Sequence, residues 1–132
     1  MTASLSIKVD IAPGELIDKI TILQIKSERI SDAAKLVNIQ AELQTLTTSR
    51  DDAIEASSDL DGLTAKLKTV NETLWDIEDD IRDCERGGDF GQTFIDLARA
   101  VYKTNDVRAD LKRQINTLLG AAFLEEKSYA AY

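Results

Sequence analysis

Apolar residues recur at alternating steps of three and four between Leu60 and Cys84, and this regularity constrains the fold more than any other feature. The series is Leu60, Leu63, Leu67, Val70, Leu74, Ile77, Ile81 and Cys84. A spacing that averages 3.5 residues places all of them on one narrow stripe of an α-helix, which must pack against other helices. The stripe therefore predicts a long helix over residues 60–86 that ends at the Gly87-Gly88 pair.

Three further segments have helical spacing, and the chain as a whole predicts an all-α fold, an antiparallel helical bundle with coiled-coil-like hairpins. These segments cover residues 13–30, 32–56 and 89–119. Pro13 suits the first position of a helix, and Ser31-Asp32 and Asp89 suit positions at which a side chain caps a helix. The first helix has apolar residues on more than one side. We therefore expect it to lie at the centre of the bundle.

The connection between the third and fourth helices is short, which predicts that the two helices lie antiparallel. In such a hairpin, positions whose numbers sum to about 176 face each other. Acidic residues outnumber basic ones over 60–86, whereas basic residues outnumber acidic ones over 99–116, and these opposite charges favour the same pairing. The length of the chain suits one domain, so we expect residues 1–132 to form a single helical domain.

Residues 5–11, the N-terminal arm, have the alternation of a β-strand. Leu5, Ile7, Val9 and Ile11 alternate with three polar residues, a period of two. An unpaired strand leaves its backbone hydrogen-bonding groups unsatisfied. We therefore expect the arm to pair with a second copy of the chain, with another protein or with the C-terminal tail over residues 121–132, and a loosely extended arm is the alternative. The tail ends in tyrosines that can anchor it, and both a docked and a frayed tail remain open.

Polar residues interrupt the apolar spacing of the fourth helix, and they face a polar strip on the third. The candidate binding residues are Asn71, Trp75, Glu78 and Arg82 on the third helix, and Arg99, Tyr102, Asn105 and Arg108 on the fourth. We expect Glu78 to lie near Arg99, and Asn71 near Asn105. The first helix could add Glu15, Asp18, Lys19 or Lys26. Such buried polar residues either fix the register and oligomeric state of the helices or form a ligand site between them.

The composition limits the chemistry that the chain can perform. It has no histidine and a single cysteine, which removes the usual general base, the usual zinc ligands and any internal disulfide. We identify no catalytic residue, no metal site and no cofactor, and whether the chain is an enzyme stays open. A net charge of −8 argues against nucleic acid and anionic membranes as partners. With no signal peptide or membrane span in view, we expect a cytoplasmic protein.

Four blocks of the sequence are distinctive when taken together. They are PGELIDKITILQIKSERI (Pro13–Ile30), LKTVNETLWDIEDDIR (Leu67–Arg82), LARAVYKTNDVRADLKRQIN (Leu97–Asn116) and EEKSYAAY (Glu125–Tyr132). With these blocks the chain resembles, from Val9 to its end except over Thr47–Gly62, a family of short bacterial and phage proteins known only as a numbered domain of unknown function. The resemblance implies that the blocks act together, and it carries over no catalytic residue.

These patterns favour a non-catalytic interaction or assembly module that acts as a homo-oligomer, in its simplest form a dimer. The reason is that long, narrow apolar stripes often need a second copy to cover them. The N-terminal arm is a possible contact for a protein partner. The alternative is a bundle that binds a small ligand, or acts as an enzyme, at the polar positions between the third and fourth helices.

Overall fold

The computed structural model describes residues 4–121 and 125–132, and its regular structure consists of four α-helices. They are α1 (Pro13–Arg29), α2 (Ala33–Ala53), α3 (Ser58–Gly87) and α4 (Gln92–Leu119). α3 and α4 form a hairpin, α1 packs on both of them, and α2 packs on α1 alone. The predicted all-α class is therefore confirmed. None of the described helices is long and apolar enough to cross a membrane.

Local signals in the sequence explain where the helices begin and end. Asp32 and Ser57 each accept a hydrogen bond from the backbone N–H three residues further on, which caps the starts of α2 and α3. Gly88 and Gly120 end α3 and α4 with φ angles of 68° and 65°, in the left-handed region that favours glycine. Asp89, the predicted cap of α4, instead accepts a bond from a backbone N–H within the connecting turn, and α4 begins later than expected.

The α3–α4 hairpin is antiparallel, as the sequence predicts. Ser58 at the start of α3 and Leu118 near the end of α4 line one groove. Asn71 and Asn105 line another groove farther along the hairpin. Positions early in α3 thus lie beside positions late in α4, as in the antiparallel hairpin that the short connection predicts.

α1 lies at the centre of the bundle, as its apolar residues on more than one side predict. Its buried residues include Ile17, Ile20, Leu23 and Ile25, together with the polar Asp18 and Thr21. One core cluster joins Ile17 to residues of both long helices, namely Leu60, Leu67, Leu111 and Ile115. Burial of each such side chain contributes about 2 kcal/mol, so this cluster holds α1, α3 and α4 together.

α2 is the least buried helix. None of its 21 residues is buried. Its most protected apolar residues are only half-buried; they are Leu36, Ile39, Leu43 and Leu46. Because an isolated helix of this length is marginally stable in water, it depends on packing of its apolar side. α2 therefore presents apolar surface that a single chain leaves partly uncovered.

The predicted N-terminal strand is not seen. Residues 4–12 form neither helix nor strand, and the side chains of Leu5, Ile7 and Val9 are 89%, 78% and 71% exposed. The described part of a single chain contains no strand with which this arm could form a hydrogen-bonded ladder. The alternation of apolar residues is present, but the hydrogen-bonded ladder that defines a strand does not accompany it in these residues.

Candidate functional site

A buried carboxylate on α1 binds a guanidinium on α4. The side chain of Asp18 is 1% exposed. Its Oδ1 accepts a hydrogen bond of 3.0 Å from Arg108 Nε, and its Oδ2 accepts a second one from Arg108 Nη2. This two-point contact is the strongest type of ion pair between protein side chains. The hydrogen bond to Asp18 raises the pKa of Arg108, although burial opposes it, so the guanidinium stays charged.

Two further polar side chains complete this cluster. Asn71 on α3 donates hydrogen bonds of 2.9 Å to Asp18 Oδ1 and to Thr21 Oγ1, and the hydroxyl of Thr21 donates to the backbone carbonyl of Asp18. We call Asp18, Thr21, Asn71 and Arg108 the polar centre. No buried side-chain nitrogen or oxygen among the described residues lacks a hydrogen-bond partner. The polar centre is therefore satisfied internally and connects three helices.

Six of the eight predicted binding residues line one groove between α1, α3 and α4. This groove has a volume of about 500 Å³, and the six are Asn71, Trp75, Glu78, Arg82, Asn105 and Arg108. Tyr102 instead lines a neighbouring groove of about 440 Å³, which Asn105 and Arg108 share. Arg99 is exposed on α4 and lines neither.

The expected contact between Glu78 and Arg99 is not formed. Glu78 pairs with Arg82, one turn along the same helix, at 3.6 Å. Both side chains are largely exposed, so this pair contributes little to stability. The two helices are antiparallel as predicted, but Arg99 is exposed on α4. The partly buried cation of α4 is instead Arg108, and it binds Asp18 on α1 rather than a residue of α3.

Trp75 is partly buried and lies beside a cation of α1. The guanidinium carbon of Arg29 on α1 lies 6.0 Å from its ring centroid, at the outer limit of a cation–π contact. Arg29 also donates a hydrogen bond to Asp76, which raises the pKa of Arg29. Trp75 thus connects α3 to the end of α1 at the margin of the groove.

α1 and α4 share two further polar contacts beside the polar centre. The backbone N–H of Gly14 donates to Asn116 Oδ1 at 2.7 Å. Lys112 Nζ lies 2.8 Å from a carboxylate oxygen of Glu15 and 2.8 Å from one of Glu125, and the side chain of Lys112 is only 7% exposed. Burial lowers the pKa of Lys112, but its hydrogen bonds to Glu125 and Glu15 outweigh that effect and raise it. These contacts make α1 and α4 antiparallel neighbours.

The described part of the C-terminal tail, residues 125–132, is docked on α4. Besides the Glu125 contact, Lys127 Nζ lies 3.2 Å from Asp106 Oδ1. The ring of Tyr132 lies 5.2 Å from the ring of Tyr102, measured between centroids. All eight tail residues remain exposed. Ion pairs and aromatic contacts, rather than burial, therefore hold the tail in place.

The docking of the tail depends on the ionisation of two groups. A hydrogen bond with Tyr132 lowers the pKa of Asp106, with Lys127 as the second cause, and the same bond raises the pKa of Tyr132. The ionised Asp106 stabilises the docked tail. This stabilisation is fully present above the ordinary carboxyl pKa of about 3.9, and it is lost as pH falls through the lowered pKa of Asp106. The stabilisation of the docked tail by the neutral Tyr132 is present below about pH 10, and it is lost as pH rises through the raised pKa of Tyr132.

Replacing Asp106 by alanine should therefore release the tail. We expect chymotrypsin at neutral pH to cut after Tyr129 several times faster than in the parent chain, because the open form is more populated. Asp110→Ala is the control, since Asp110 lies one turn away and bonds to Gln114 of its own helix. Equal cleavage of the two variants would show that Asp106 does not hold the tail.

Sequence reasoning did not single out three buried polar residues, Thr21, Lys112 and Asn116. The sequence does contain a signal for Lys112 and Asn116. Asn105, Arg108, Lys112 and Asn116 follow one another at steps of three and four on α4, and thus form a polar strip along one side of the helix. Asp18 was one of four candidates on α1, and nothing in the sequence distinguished it from the other three. Among the described residues, no group of three or more acidic or cysteine side chains could hold a metal ion.

Comparison with known proteins gives a family but no activity. The model of the Family of unknown function (DUF6165) matches residues 7–132. Neither the curated proteins nor the solved structures compared with this chain yield a match. The matched range includes most of the N-terminal arm, all four helices and the tail. The resemblance inferred from the four sequence blocks is therefore confirmed at the level of a family of unknown function.

Proposed function

We propose that this chain, which belongs to the Family of unknown function (DUF6165), is a cytoplasmic, non-catalytic assembly module that acts as a homo-oligomer. The observation that carries the proposal is the N-terminal arm. Three large apolar side chains of the arm, Leu5, Ile7 and Val9, are more than two-thirds exposed, and the backbone that carries them is unpaired. Contiguous exposed apolar surface of this kind marks an interaction site.

The second helix supports the same proposal. α2 contacts only α1 and has no buried residue, and Val37 adds an exposed apolar side chain to it. A groove of about 510 Å³ connects the two regions, since Pro13 at the foot of the arm and Ile54 after α2 both line it. The arm and α2 thus both present apolar surface that a second protein surface would stabilise.

The polar centre favours a structural role over catalysis. Asp18 already satisfies both Asn71 and Arg108, so a ligand would have to displace one of these contacts before it could use either side chain. For this reason the alternative, a ligand-binding or enzymatic site between α3 and α4, is supported less well by the geometry. Polar residues in a helical core are best attested as devices that select one register and one oligomeric state.

The mass of the protein in solution tests the proposal. Light scattering after size exclusion at micromolar concentrations should give a multiple of the 14.6 kDa chain mass. In the double variant Leu5→Asp/Ile7→Asp we expect the dissociation constant to rise by about a hundredfold, because unpaired charges would enter an apolar interface.

The matched control is Ser4→Asp/Ser6→Asp, which adds the same charge to neighbouring positions of opposite orientation in an extended chain and should leave the mass unchanged. A monomer mass at every concentration of the parent chain would contradict the proposed function. If the Leu5→Asp/Ile7→Asp variant forms the same oligomer as the parent chain, the N-terminal arm is not part of the interface.

A further inference from the structure

We infer that the N-terminal arms of two copies of this chain pair as antiparallel β-strands about a two-fold axis that passes through Val9. This inference rests on the proposed homo-oligomeric function and adds to it the partner, the surface and the register. A strand that lacks a partner in its own chain completes its hydrogen bonds most directly by joining another strand. The question is which strand the arm joins.

The C-terminal tail, one of the three partners that the sequence allows, is engaged elsewhere. Its residues Glu125 and Lys127 contact Lys112 and Asp106 on α4. The described residues of the arm make no hydrogen-bonded ladder with the described part of the tail. A second copy of the chain and an unrelated protein are the partners that remain.

The charges of the arm favour a second copy. In an antiparallel pair about a two-fold axis at residue 9, position 8 of one strand lies opposite position 10 of the other. The pairing therefore places Lys8 of each chain opposite Asp10 of its copy, on the same face of the ribbon. The two opposite-charge pairs form by symmetry, as in any isologous interface.

Other registers lose this complementarity. An axis at Lys8 or at Asp10 places that residue opposite its own copy, and like charges directly opposite each other are destabilising. A two-fold axis midway between two neighbouring residues would place apolar side chains opposite polar ones and mix the two faces of the ribbon. An axis at Ile7 keeps the faces but leaves Lys8 opposite a serine. The register about Val9 is thus the one in which both the apolar residues and the charges match.

The opposite face of such a ribbon is apolar. Ile7 of one chain lies opposite Ile11 of the other, and Val9 lies opposite its own copy. A two-stranded ribbon is marginally stable by itself, so this face must cover another apolar surface. The groove at the foot of the arm offers one, since Ile54, Leu118 and Leu119 line it beside Pro13. The arm is therefore placed to bury its apolar face on the bundle while its edge pairs with a second copy.

Charge reversal tests the register. In Lys8→Asp, or in Asp10→Lys, both cross-strand pairs become repulsive, and we expect the dissociation constant of the dimer to rise by about tenfold at low ionic strength. The double variant Lys8→Asp/Asp10→Lys exchanges the two charges and should return the constant to the parent value. Lys103→Asp, at an exposed position of α4, is the control for net charge. Analytical ultracentrifugation measures all five proteins.

Cysteine cross-linking tests the position of the axis. In a Cys84→Ser background, which removes the native thiol, Val9→Cys places two thiols opposite each other on the two-fold axis and should form a covalent dimer on mild oxidation. Ile7→Cys should form little, because position 7 faces position 11. Equal cross-linking of the two variants, as in a parallel pair, would overturn the inference.

The outcomes separate the two proposals. If the parent chain associates but the single charge reversals act no more strongly than Lys103→Asp, or the double variant fails to recover, the arm pairing is wrong and the homo-oligomer stands. If the parent chain is a monomer throughout, the proposed function is wrong and the pairing falls with it.

Discussion

Replacing Gly14 by alanine should lower the free energy of unfolding by about 2–4 kcal/mol, the range of a severe packing error in a buried contact. A Cβ atom at this position would lie 2.4 Å from the backbone oxygen of Lys112 and 2.8 Å from Asn116 Oδ1. Neither atom belongs to a flexible side-chain end, because one is α4 backbone and the other is a buried amide held by its own hydrogen bond. The added methyl group can therefore be accommodated only if α1 moves away from α4.

That displacement explains why a small substitution should have a large effect. The bond from the Gly14 N–H to Asn116 would break, and both groups are buried. The neighbouring Glu15–Lys112 contact would lengthen as well, because it joins the same two helices. An unsatisfied buried polar group costs about 1–3 kcal/mol, whereas the helix propensity of alanine returns less than about 1 kcal/mol.

Gly62→Ala is the matched control for Gly14→Ala. Gly62 lies within α3, and a Cβ atom there would meet nothing within 4 Å. Alanine should therefore raise stability by about 0.5–1 kcal/mol, since it restricts the unfolded chain without a clash. Urea unfolding followed by circular dichroism measures both variants. If Gly14→Ala proved as stable as Gly62→Ala, the close approach of α1 to α4 would be wrong.

Asp18→Ala should lower the free energy of unfolding by about 3 kcal/mol, at the lower end of the range for breaking a buried ion pair. The change leaves Arg108 without its counter-charge and removes an acceptor from Asn71. The lower end applies because the Arg108 side chain is 29% exposed, so water relieves part of the penalty. Asp80→Ala, on the exposed face of α3, should change stability by less than about 0.5 kcal/mol.

A double-mutant cycle separates the ion pair from the rest of the polar centre. Asp18→Ala and Arg108→Ala each leave one charge behind, whereas the double variant leaves neither. The loss in the double variant should therefore be smaller than the sum of the single losses, by about 1–3 kcal/mol. Additive losses in urea unfolding would show that Asp18 and Arg108 do not stabilise the fold through each other.

The α3–α4 hairpin shows how far sequence reasoning reaches here. The apolar stripe of α3 and the short turn after it predict both the helix and its antiparallel partner, because helical periodicity and chain connectivity are local properties. The same reasoning predicts that Glu78 and Arg99 lie at a similar level along the hairpin, but their side chains are not in contact. A spacing pattern does not predict the direction in which each side chain points. That direction depends on how the two helices are rotated about their axes.

The polar centre shows where sequence reasoning stops. Arg108 and Asn71 are recognisable as polar residues at core positions, and Asp18 is one of four charged candidates on α1. Only the crossing of α1 over the hairpin selects Asp18 and brings Thr21 into the same cluster. Lys112 and Asn116 are buried for the same reason, because α1 covers the side of α4 on which they lie.

The sequence by itself determined the helical class, the order of the helices, the caps of α2 and α3, the antiparallel pairing of α3 with α4 and the central position of α1. These follow from short-range spacing and from glycine and capping residues, which act on the backbone next to them. Only the tertiary structure decided which carboxylate neutralises Arg108, that residues 125–132 lie along α4 and that the N-terminal arm finds no strand among the residues that the structure describes. Each of these depends on groups that are distant in sequence and come into contact only when the helices pack. A local sequence pattern carries no information about such contacts.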